Sequence, residues 1–420
     1  MKRLLVVLLV IFALVWLPAC GSNSPVAIHV DQPRALLDTP LAITISGLRP
    51  HERVLVRAST KDARGKYWAS KATFLADSAG RVDLRTAAAQ GGTYQGVDPM
   101  GLFWSMRVTS PTPQNWYCLP GDKSTVTFSV EMGGAVVARQ SVVRLTRDPG
   151  TPAGRLQSLS EVGFTGEYYP PADTRIRRPA VLVFGGSEGG LSGTLTSSLL
   201  AAHGYPALAI AYFDAPGLPA KLANIPLEYF AGALRWLRDQ PGVDPGRVLV
   251  YGVSRGSEAA LLLGVHYPEL VNGVIALVPS SVSQGSMTGH PGPVWMLGGD
   301  PLPYSNQGST LHPADNPDAE IQVEKIGGPI FLDCGEGDRA WLSCPYAQAI
   351  IDRLEANHHP YPHVLLSYPN AGHGVGFPVP NFPDVWGFGS GLATAPDATA
   401  KARQQIWPRL LDFLSEFAKT

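Results

Sequence analysis

Short runs in which apolar and polar residues alternate fill the first third of the chain, from about Val26 to Leu145. A period of two places successive side chains on opposite faces of a strand, and helical periodicity is absent here. The runs are separated by turn sequences that contain Gly, Pro and Asp, and they read LAITISGL, RVLVRAST, STVTFSV and VVARQSVVRL. This pattern predicts an antiparallel, immunoglobulin-like β-sandwich over residues 25–148.

A segment rich in Gly and Pro, DPGTPAGR from Asp148 to Arg155, separates this region from a different pattern. Beyond it, continuous apolar runs alternate with amphipathic segments that have helical periodicity. The apolar runs are PAVLVFGG, PALAIAYF, RVLVYG, VNGVIALV, PIFLDCG and HVLLSY. Such strands are typical of a parallel sheet covered on both faces by helices, so residues 156–420 are predicted to form one α/β domain.

The first twenty residues predict a targeting segment instead of a part of the fold. Lys2 and Arg3 precede an unbroken apolar run that ends in Leu17-Pro18-Ala19-Cys20. A short apolar run behind two cations is typical of a signal peptide, and the ending resembles the bacterial lipobox, in which the cysteine is lipidated. We therefore expect residues 1–20 to be a lipoprotein signal and the protein to be held outside the cytoplasm on a membrane through Cys20. A plain signal peptide or an uncleaved anchor is the alternative.

Composition excludes several functions. Charged residues make up 16% of the chain and the formal net charge is −1, without a basic run that would hold phosphates. We therefore expect no nucleic-acid partner. Three cysteines remain after Cys20. Outside the cytoplasm Cys334 and Cys344 are a possible disulfide, with two free buried thiols as the alternative. There is no CxxC and no paired His and Cys spacing, so no metal site is expected.

Two serines lie in a Gly-x-Ser-x-Gly context. Ser187 occurs in LVFGGSEGG and Ser254 in LVYGVSRGSEAALLLG. An α/β-hydrolase holds its nucleophile on a sharp turn between a strand and a helix, after earlier βα units of the same domain. Ser254 meets this requirement, because RVLVYG precedes it and a run of strong helix formers follows. Ser187 follows the first clear strand, where a glycine-rich loop supplies an oxyanion N–H or the serine caps a helix.

The partners of Ser254 are expected later in the chain, acid first and then histidine. Asp338 follows the strand PIFLDCG, and His373 lies in PNAGHG after the strand HVLLSY. We predict a catalytic set in which His373 is the general base for Ser254 and Asp338 orients the imidazole. The backbone N–H of Arg255 and one from Gly186 or Ser187 would form the oxyanion hole.

Other residues compete for these roles. Asp333 lies within the strand PIFLDCG and Glu336 lies in the following turn, so both are alternative acids. The remaining candidate bases close predicted helices instead of occupying a glycine loop after the acid; they are His203, His266, His358 and His359.

These motifs resemble the family of acyl-CoA thioester hydrolases and bile-acid-CoA:amino acid N-acyltransferases. The resemblance is carried by LRPHERVLVRASTKDARG and GGTYQGVDPMGLFWSM near the N-terminus, and by FGGSEGGL, YGVSRGSEAAL, GEGDRAWLS, PNAGHG and the final A-x-A-K-A-R-Q-Q-I-W helix. It implies a β-sandwich joined to an α/β-hydrolase, with Ser254, Asp338 and His373 as the catalytic set. Met100 and Trp104 are then expected to pack at the contact between the two regions.

The chain departs from the family in two respects. Members that conjugate amino acids resemble it but use a cysteine nucleophile, whereas this position is Ser254. An extracytoplasmic address also separates the protein from intracellular CoA, and the loop SSVSQGSMTGHPGPVWMLGGDPLPYS has no cluster of Lys and Arg for CoA phosphates.

We therefore expect a serine hydrolase of small-molecule acyl thioesters that needs no cofactor. A carboxylesterase acting on oxyesters, an acyltransferase to an amine or hydroxyl, and an inactive surface binding protein are the alternatives.

Overall fold

The computed structural model describes residues 25–110, 117–119, 121–286, 292–308, 310–383 and 395–419. Cys20 and the rest of the expected signal segment lie outside these residues. Within the described ranges no helix has the length and apolar character needed to cross a membrane.

Among the described residues, the N-terminal region has nine strands, which form two sheets. The strands are β1 (Ala27–Val30), β2 (Arg34–Leu36), β3 (Ile43–Ser46), β4 (Arg53–Lys61), β5 (Tyr67–Leu75), β6 (Val82–Asp83), β7 (Arg107–Val108), β8 (Lys123–Met132) and β9 (Ala135–Leu145). One sheet has the order β1-β3-β6 and the other β2-β9-β8-β4-β5-β7. Apolar residues from both sheets belong to one buried cluster.

The alternating pattern of the sequence corresponds to alternating burial. In β4, Val54, Val56 and Ala58 are buried while the residues between them are partly exposed. Pairing within the larger sheet is antiparallel except at one edge, where β2 runs parallel to β9. The prediction of an entirely antiparallel sandwich was therefore wrong at this edge. The strand β5 was not foreseen either.

The motif GGTYQGVDPMGLFWSM contains a short buried helix, α1 (Gly101–Trp104), in a region where no helical periodicity was found. The carboxylate of Asp98 organises it by accepting the Trp104 indole N–H at 2.8 Å and the Met100 backbone N–H at 2.9 Å. A Cβ on Gly101 would lie 2.3 Å from the Tyr94 ring, so only glycine fits. Met100 and Trp104 are both buried in the apolar cluster and do not reach Ser254 through any described contact.

In the part of the chain that the structure describes, the C-terminal region has eleven strands. They are β10 (Arg155–Gln157), β11 (Thr165–Tyr169), β12 (Arg178–Phe184), β13 (Ala207–Ala211), β14 (Ile225–Pro226), β15 (Val243–Val253), β16 (Gly273–Leu277), β17 (Trp295–Leu297), β18 (Asp300–Pro301), β19 (Ile330–Gly335) and β20 (His363–Tyr368). Eight of them form the main sheet, in the order β10-β11-β13-β12-β15-β16-β19-β20, and β14, β17 and β18 form a small one.

Six neighbouring strands of the main sheet pair in parallel, as the apolar runs predict. In their order across the sheet they are β13, β12, β15, β16, β19 and β20. The sheet is nevertheless mixed, because β11 pairs antiparallel with both β10 and β13. The connection from β10 to β11 contains a four-residue helix, Leu159–Val162, which is too short for the crossover between parallel strands. These two strands therefore do not follow the βα alternation from which the parallel sheet was predicted.

Within the described ranges six further α-helices follow α1. They are α2 (Leu159–Val162), α3 (Thr194–Ala202), α4 (Leu227–Arg238), α5 (Arg255–His266), α6 (Ser343–Ala356) and α7 (Pro396–Phe417). Gly204 follows α3 with a φ of +90°, the left-handed conformation that favours glycine at the end of a helix. Strands β13, β16 and β19 are buried along their whole length, and β12 and β15 are buried from Pro179 and Val248 onward, as expected for a doubly covered sheet.

One carboxylate connects the two regions. Asp38 Oδ2 lies 2.5 Å from Nε2 of His203 at the end of α3, and it accepts the indole N–H of Trp407 on α7 at 2.7 Å. The backbone oxygen of Asp38 accepts the side-chain amide of Asn381 at 2.9 Å. His203 is therefore engaged at this junction and is not a partner of Ser254.

Candidate active site

Ser254 occupies a strained turn between β15 and α5. Its φ is +54° and its ψ is −122°, a conformation rarely adopted by residues other than glycine. The turn is possible because its neighbours lack side chains: a Cβ on Gly252 would lie 2.2 Å from the Gly256 oxygen, and one on Gly256 would lie 2.1 Å from the Gly185 oxygen. The local sequence thus holds Ser254 at the carboxyl end of the strand.

His373 and Asp338 come to this site from the ends of β20 and β19, the last two strands of the main sheet. His373 begins a short 3-10 helix after β20, and its Nε2 lies 3.0 Å from Ser254 Oγ. Its Nδ1 lies 2.7 Å from Oδ2 of Asp338, in the loop after β19. The side chain of Asp338 is 2% exposed and that of His373 is 12% exposed, so the pair is largely withdrawn from water. The structure therefore brings the three predicted side chains into one hydrogen-bonded chain.

Further donors fix the acid. Asp338 Oδ2 also accepts the Ser343 hydroxyl at 2.6 Å, and Oδ1 accepts the Ala340 backbone N–H at 2.8 Å. Cys334 and Cys344 form a disulfide that joins the end of β19 to the start of α6. Because the bridge closes the loop that carries Asp338, it restricts the positions that this carboxylate can take.

The alternative acids have other partners. Asp333 is buried, and its Oδ1 accepts the backbone N–H of Val278 at 3.0 Å. Burial raises the pKa of Asp333 well above its ordinary value. Glu336 accepts the hydroxyl of Ser367 at 3.0 Å. In the described part of the chain neither carboxylate contacts the ring of His373.

The alternative histidines lie elsewhere as well. His359 Nε2 lies 2.8 Å from the backbone oxygen of Ile326, and His358 occupies the exposed turn after α6. Burial lowers the pKa of His266, which ends α5. Among the hydrogen bonds of the described ranges, none connects these histidines with Ser254.

Two of the expected oxyanion donors have no acceptor among the described residues. Neither Arg255 N–H nor Ser187 N–H is hydrogen-bonded to another described residue. The N–H of Gly186 is instead donated to Oε2 of Glu188 at 2.9 Å. Sequence reasoning named the three backbone groups but missed Glu188, and only its place in the GGSEGG loop marks it.

A buried ion pair beneath the nucleophile was also missed. Nε of Arg255 lies 3.2 Å from Oε1 of Glu258, and their side chains are 3% and 0% exposed. Glu258 Oε2 accepts the Trp295 indole N–H at 2.9 Å and the Gln284 backbone N–H at 3.1 Å, while Arg255 Nη2 donates to the Gln284 oxygen at 2.7 Å. The pair thus fixes the segment after β16 against α5. The spacing of Arg255 and Glu258, three residues apart on a helix, was the available signal.

Trp341 completes the surroundings of His373. Its indole N–H is donated to the backbone oxygen of Val278 at 3.1 Å, and its ring lies edge-on to the imidazole with centroids 6.1 Å apart. The described residues contain no group of three or more His, Cys, Asp or Glu side chains arranged to hold a metal ion.

A strand, a strained serine turn and a helix, with histidine and aspartate on later strand ends, define an α/β-hydrolase domain. Two family models match the chain: "Acyl-CoA thioester hydrolase/BAAT N-terminal region" over residues 38–157, and "BAAT / Acyl-CoA thioester hydrolase C terminal" over residues 225–298 and 301–419. The chain belongs to this family of acyl-CoA thioester hydrolases and BAAT proteins, and it is an enzyme of the thioester hydrolase class.

Similar curated proteins span most of the chain. Acyl-coenzyme A thioesterase 6 of Mus musculus is 28% identical over 91% of this chain and 94% of its own. Acyl-coenzyme A thioesterase 1 of Rattus norvegicus is 30% identical over 81% and 83%. Acyl-coenzyme A amino acid N-acyltransferase 2 of Mus musculus is 31% identical over 81% and 84%. Hydrolases and an acyltransferase therefore share this architecture.

Solved structures are more distant. A puromycin-hydrolysing peptidase of Mycobacterium tuberculosis has a TM-score of 0.45 and 12% identity, covering 89% of this chain and 54% of that one. An esterase of Pyrobaculum calidifontis has a TM-score of 0.41 and 18% identity, covering 63% and 86%. These likenesses carry no functional conclusion.

Proposed function

We propose that this protein hydrolyses acyl thioesters by covalent catalysis at Ser254, with His373 as general base and Asp338 as the carboxylate that orients it. The observation that supports this most strongly is the continuous hydrogen-bonded chain from Ser254 Oγ through the imidazole to Asp338 Oδ2. Family membership supplies the substrate class, because the similar proteins are named for acyl-coenzyme A substrates.

The reaction proceeds in two halves. Ser254 Oγ attacks the acyl carbon while His373 Nε2 takes its proton, and the negative oxygen of the tetrahedral intermediate is bound by Arg255 N–H and by N–H groups of Gly186 and Ser187. The imidazolium then gives its proton to the departing thiolate, which leaves an acyl ester on Ser254. Water, deprotonated by His373, attacks this ester, and the imidazolium gives that proton to Ser254 Oγ as the bond to the acyl carbon breaks and the carboxylic acid is released. Asp338 stabilises the imidazolium in both halves.

Two further proposals concern the setting of this chemistry. We propose that lipidated Cys20 anchors the protein to a membrane outside the cytoplasm, on the strength of the Leu-Pro-Ala-Cys motif behind an apolar run. We also propose that the N-terminal sheets are an immunoglobulin-like sandwich whose role is to support the hydrolase domain. Asp38, which joins His203 and Trp407, supports this bracing role.

Oxyester hydrolysis and acyl transfer are the alternatives. Transfer is favoured by the likeness to an amino acid N-acyltransferase. Ser254 opposes it, because water readily attacks an oxyester intermediate.

The test is turnover of acyl-CoA, acyl-pantetheine and simple acyl esters by the full-length protein and by Ser254→Ala. We expect the variant to remain folded and to lose at least about 10⁴-fold in kcat, together with fluorophosphonate labelling. Ser187→Ala keeps its backbone N–H and should lose less than about tenfold. Turnover that survives in Ser254→Ala, or a larger loss in Ser187→Ala, would contradict the assignment.

A further inference from the structure

The glycine loop after β12 lies directly against the nucleophile. A Cβ built on Gly186 would lie 3.0 Å from Cβ of Ser254 and 2.9 Å from the backbone oxygen of Val253. No side chain fits between the loop and the serine. Backbone N–H groups of this loop are therefore the donors that a carbonyl oxygen would meet when its carbon is attacked by Ser254.

Tyr212 sets the direction of these donors. Its hydroxyl lies 3.0 Å from the Gly185 oxygen and 2.9 Å from the Gly186 oxygen, and burial raises its pKa far enough to keep it a neutral donor. In a trans peptide the N–H points opposite to the C=O of the same unit. The N–H groups of Gly186 and Ser187 consequently both point away from Tyr212, as a shared oxyanion site requires.

Glu188 occupies one of these two donors. Its Oε2 accepts the Gly186 N–H at 2.9 Å. Its Oε1 lies so close to the loop that a Cβ on Gly185 would approach it to 1.9 Å. A Cβ built on Gly186, which would lie 3.0 Å from Ser254 Cβ, would also lie 3.3 Å from Oε2 of Glu188. The carboxylate is therefore beside the nucleophile.

The side chain of Glu188 is placed so that it can move away from the Gly186 N–H into solvent. The residue as a whole is exposed, while its carboxylate is turned inward, where burial raises its pKa against the hydrogen bonds from Ser192 and Gly186. An exposed stem can rotate into water without disturbing packing. Gly189 and Gly190 follow with φ of +67° and +63°, so the backbone beside it carries no side chain that would block the rotation.

A carboxylate and a developing oxyanion cannot share one donor, because the two negative charges repel each other over a few ångströms in a partly desolvated site. We propose that Glu188 is a displaceable occupant of the oxyanion hole, which holds the Gly186 N–H in the free enzyme and swings out when the substrate carbonyl binds. This inference rests on the proposed function of Ser254. Arg255 and Ser187 then supply the standing donors, and Gly186 is the one released on binding.

The test compares the full-length protein with Glu188→Ala and Glu188→Gln. If the Gly186 N–H is free in only a fraction of the molecules, the apparent affinity for the substrate is reduced by that fraction. We expect Glu188→Ala to lower KM for an acyl thioester about tenfold and to speed fluorophosphonate labelling of Ser254 about tenfold, with kcat changed less than about threefold. Glu188→Gln keeps an acceptor without the charge and should fall between it and the wild type. Glu269→Ala, which removes another exposed glutamate, is the control.

The opposite outcomes are equally clear. If Glu188 merely holds the loop in shape, both variants will label more slowly and lose kcat, and the proposal is overturned. Unchanged KM and labelling in both variants would overturn it too. If Glu188→Ala fails to fold in a thermal melt, Glu188→Gln decides alone. Failure of the proposed function looks different, since the wild type would then neither hydrolyse thioesters nor take the label on Ser254.

Discussion

Nδ1 of His373 lies 2.7 Å from Oδ2 of Asp338, whereas the carboxylate of Asp333, five residues earlier in the chain, is directed to the backbone of Val278. Asp333 lies within β19 and Asp338 lies three residues after the end of that strand, so position along the chain alone hardly separates them. Their different partners give each a different expected role.

Replacement of these two aspartates by asparagine should separate catalysis from structure. Asp338→Asn reverses the preferred imidazole tautomer and should lower kcat about 10⁴-fold. Asp333→Asn keeps an oxygen that can accept the Val278 N–H, so we expect kcat to fall less than about tenfold. Steady-state thioester hydrolysis by both variants checks this. A greater loss in Asp333→Asn would make Asp333 the functional acid.

The disulfide should support both stability and turnover. Replacing Cys334 and Cys344 by Ala together opens a loop of ten-residue separation, which should lower the free energy of unfolding by about 2–3 kcal/mol. We expect kcat to fall severalfold, because Asp338 gains freedom. Urea unfolding and steady-state rates are the measurements. Cys118→Ala, at a cysteine outside the disulfide, should match the wild type. Equal stability of the double variant would argue against a structural role.

The buried carboxyl of Asp333 should make stability depend on pH. Burial raises its pKa well above 3.8, so the folded protein keeps a proton that the unfolded chain has already lost. Its contribution is complete below pH 3.8 and is lost as pH rises toward the folded pKa. The slope is at most about 1.4 kcal/mol per pH unit.

Asp333→Asn cannot lose this proton, and its free energy of unfolding should therefore fall less steeply than that of the wild type as pH rises. Urea denaturation of both proteins across a pH series gives the comparison. Parallel curves would mean that Asp333 is ionised in the folded state.

The chemical identity of the nucleophile should determine whether the acyl group is transferred to water or to an amine. In Ser254→Cys the acyl-enzyme becomes a thioester, which is more reactive toward an amine than an oxyester. With an acyl-CoA and glycine present, we expect a higher ratio of acylglycine to free acid than in the wild type, measured by product analysis. An unchanged ratio would show that the acceptor is selected elsewhere in the site.

Much of the site was predictable because each side chain follows an apolar strand. Ser254, Asp338 and His373 come after β15, β19 and β20, and parallel strands bring their carboxyl ends to one edge of the sheet. Spacing along the chain therefore carried spatial information. The same reasoning excluded His359, which closes a helix instead of a strand.

Other features depend on distances that no local pattern encodes. The contact of Glu188 with Gly186 requires the particular turn made by the following glycines, and the antiparallel placement of β11 depends on which edge of the sheet is free. The ion pair of Arg255 and Glu258 is buried only because the segment around Trp295 folds over it. Tertiary packing, which acts across long sequence separations, determined all three.

The contacts of Asp38 affect how the protein unfolds. Its single carboxylate contacts Trp407 on the final helix and His203 at the end of α3, so separating the two regions would break both hydrogen bonds at once. The penalty couples the beginning and the end of the described chain in one cooperative transition. Damage to the N-terminal sheets would thus be transmitted to the hydrolase domain, even though none of their residues touches the serine.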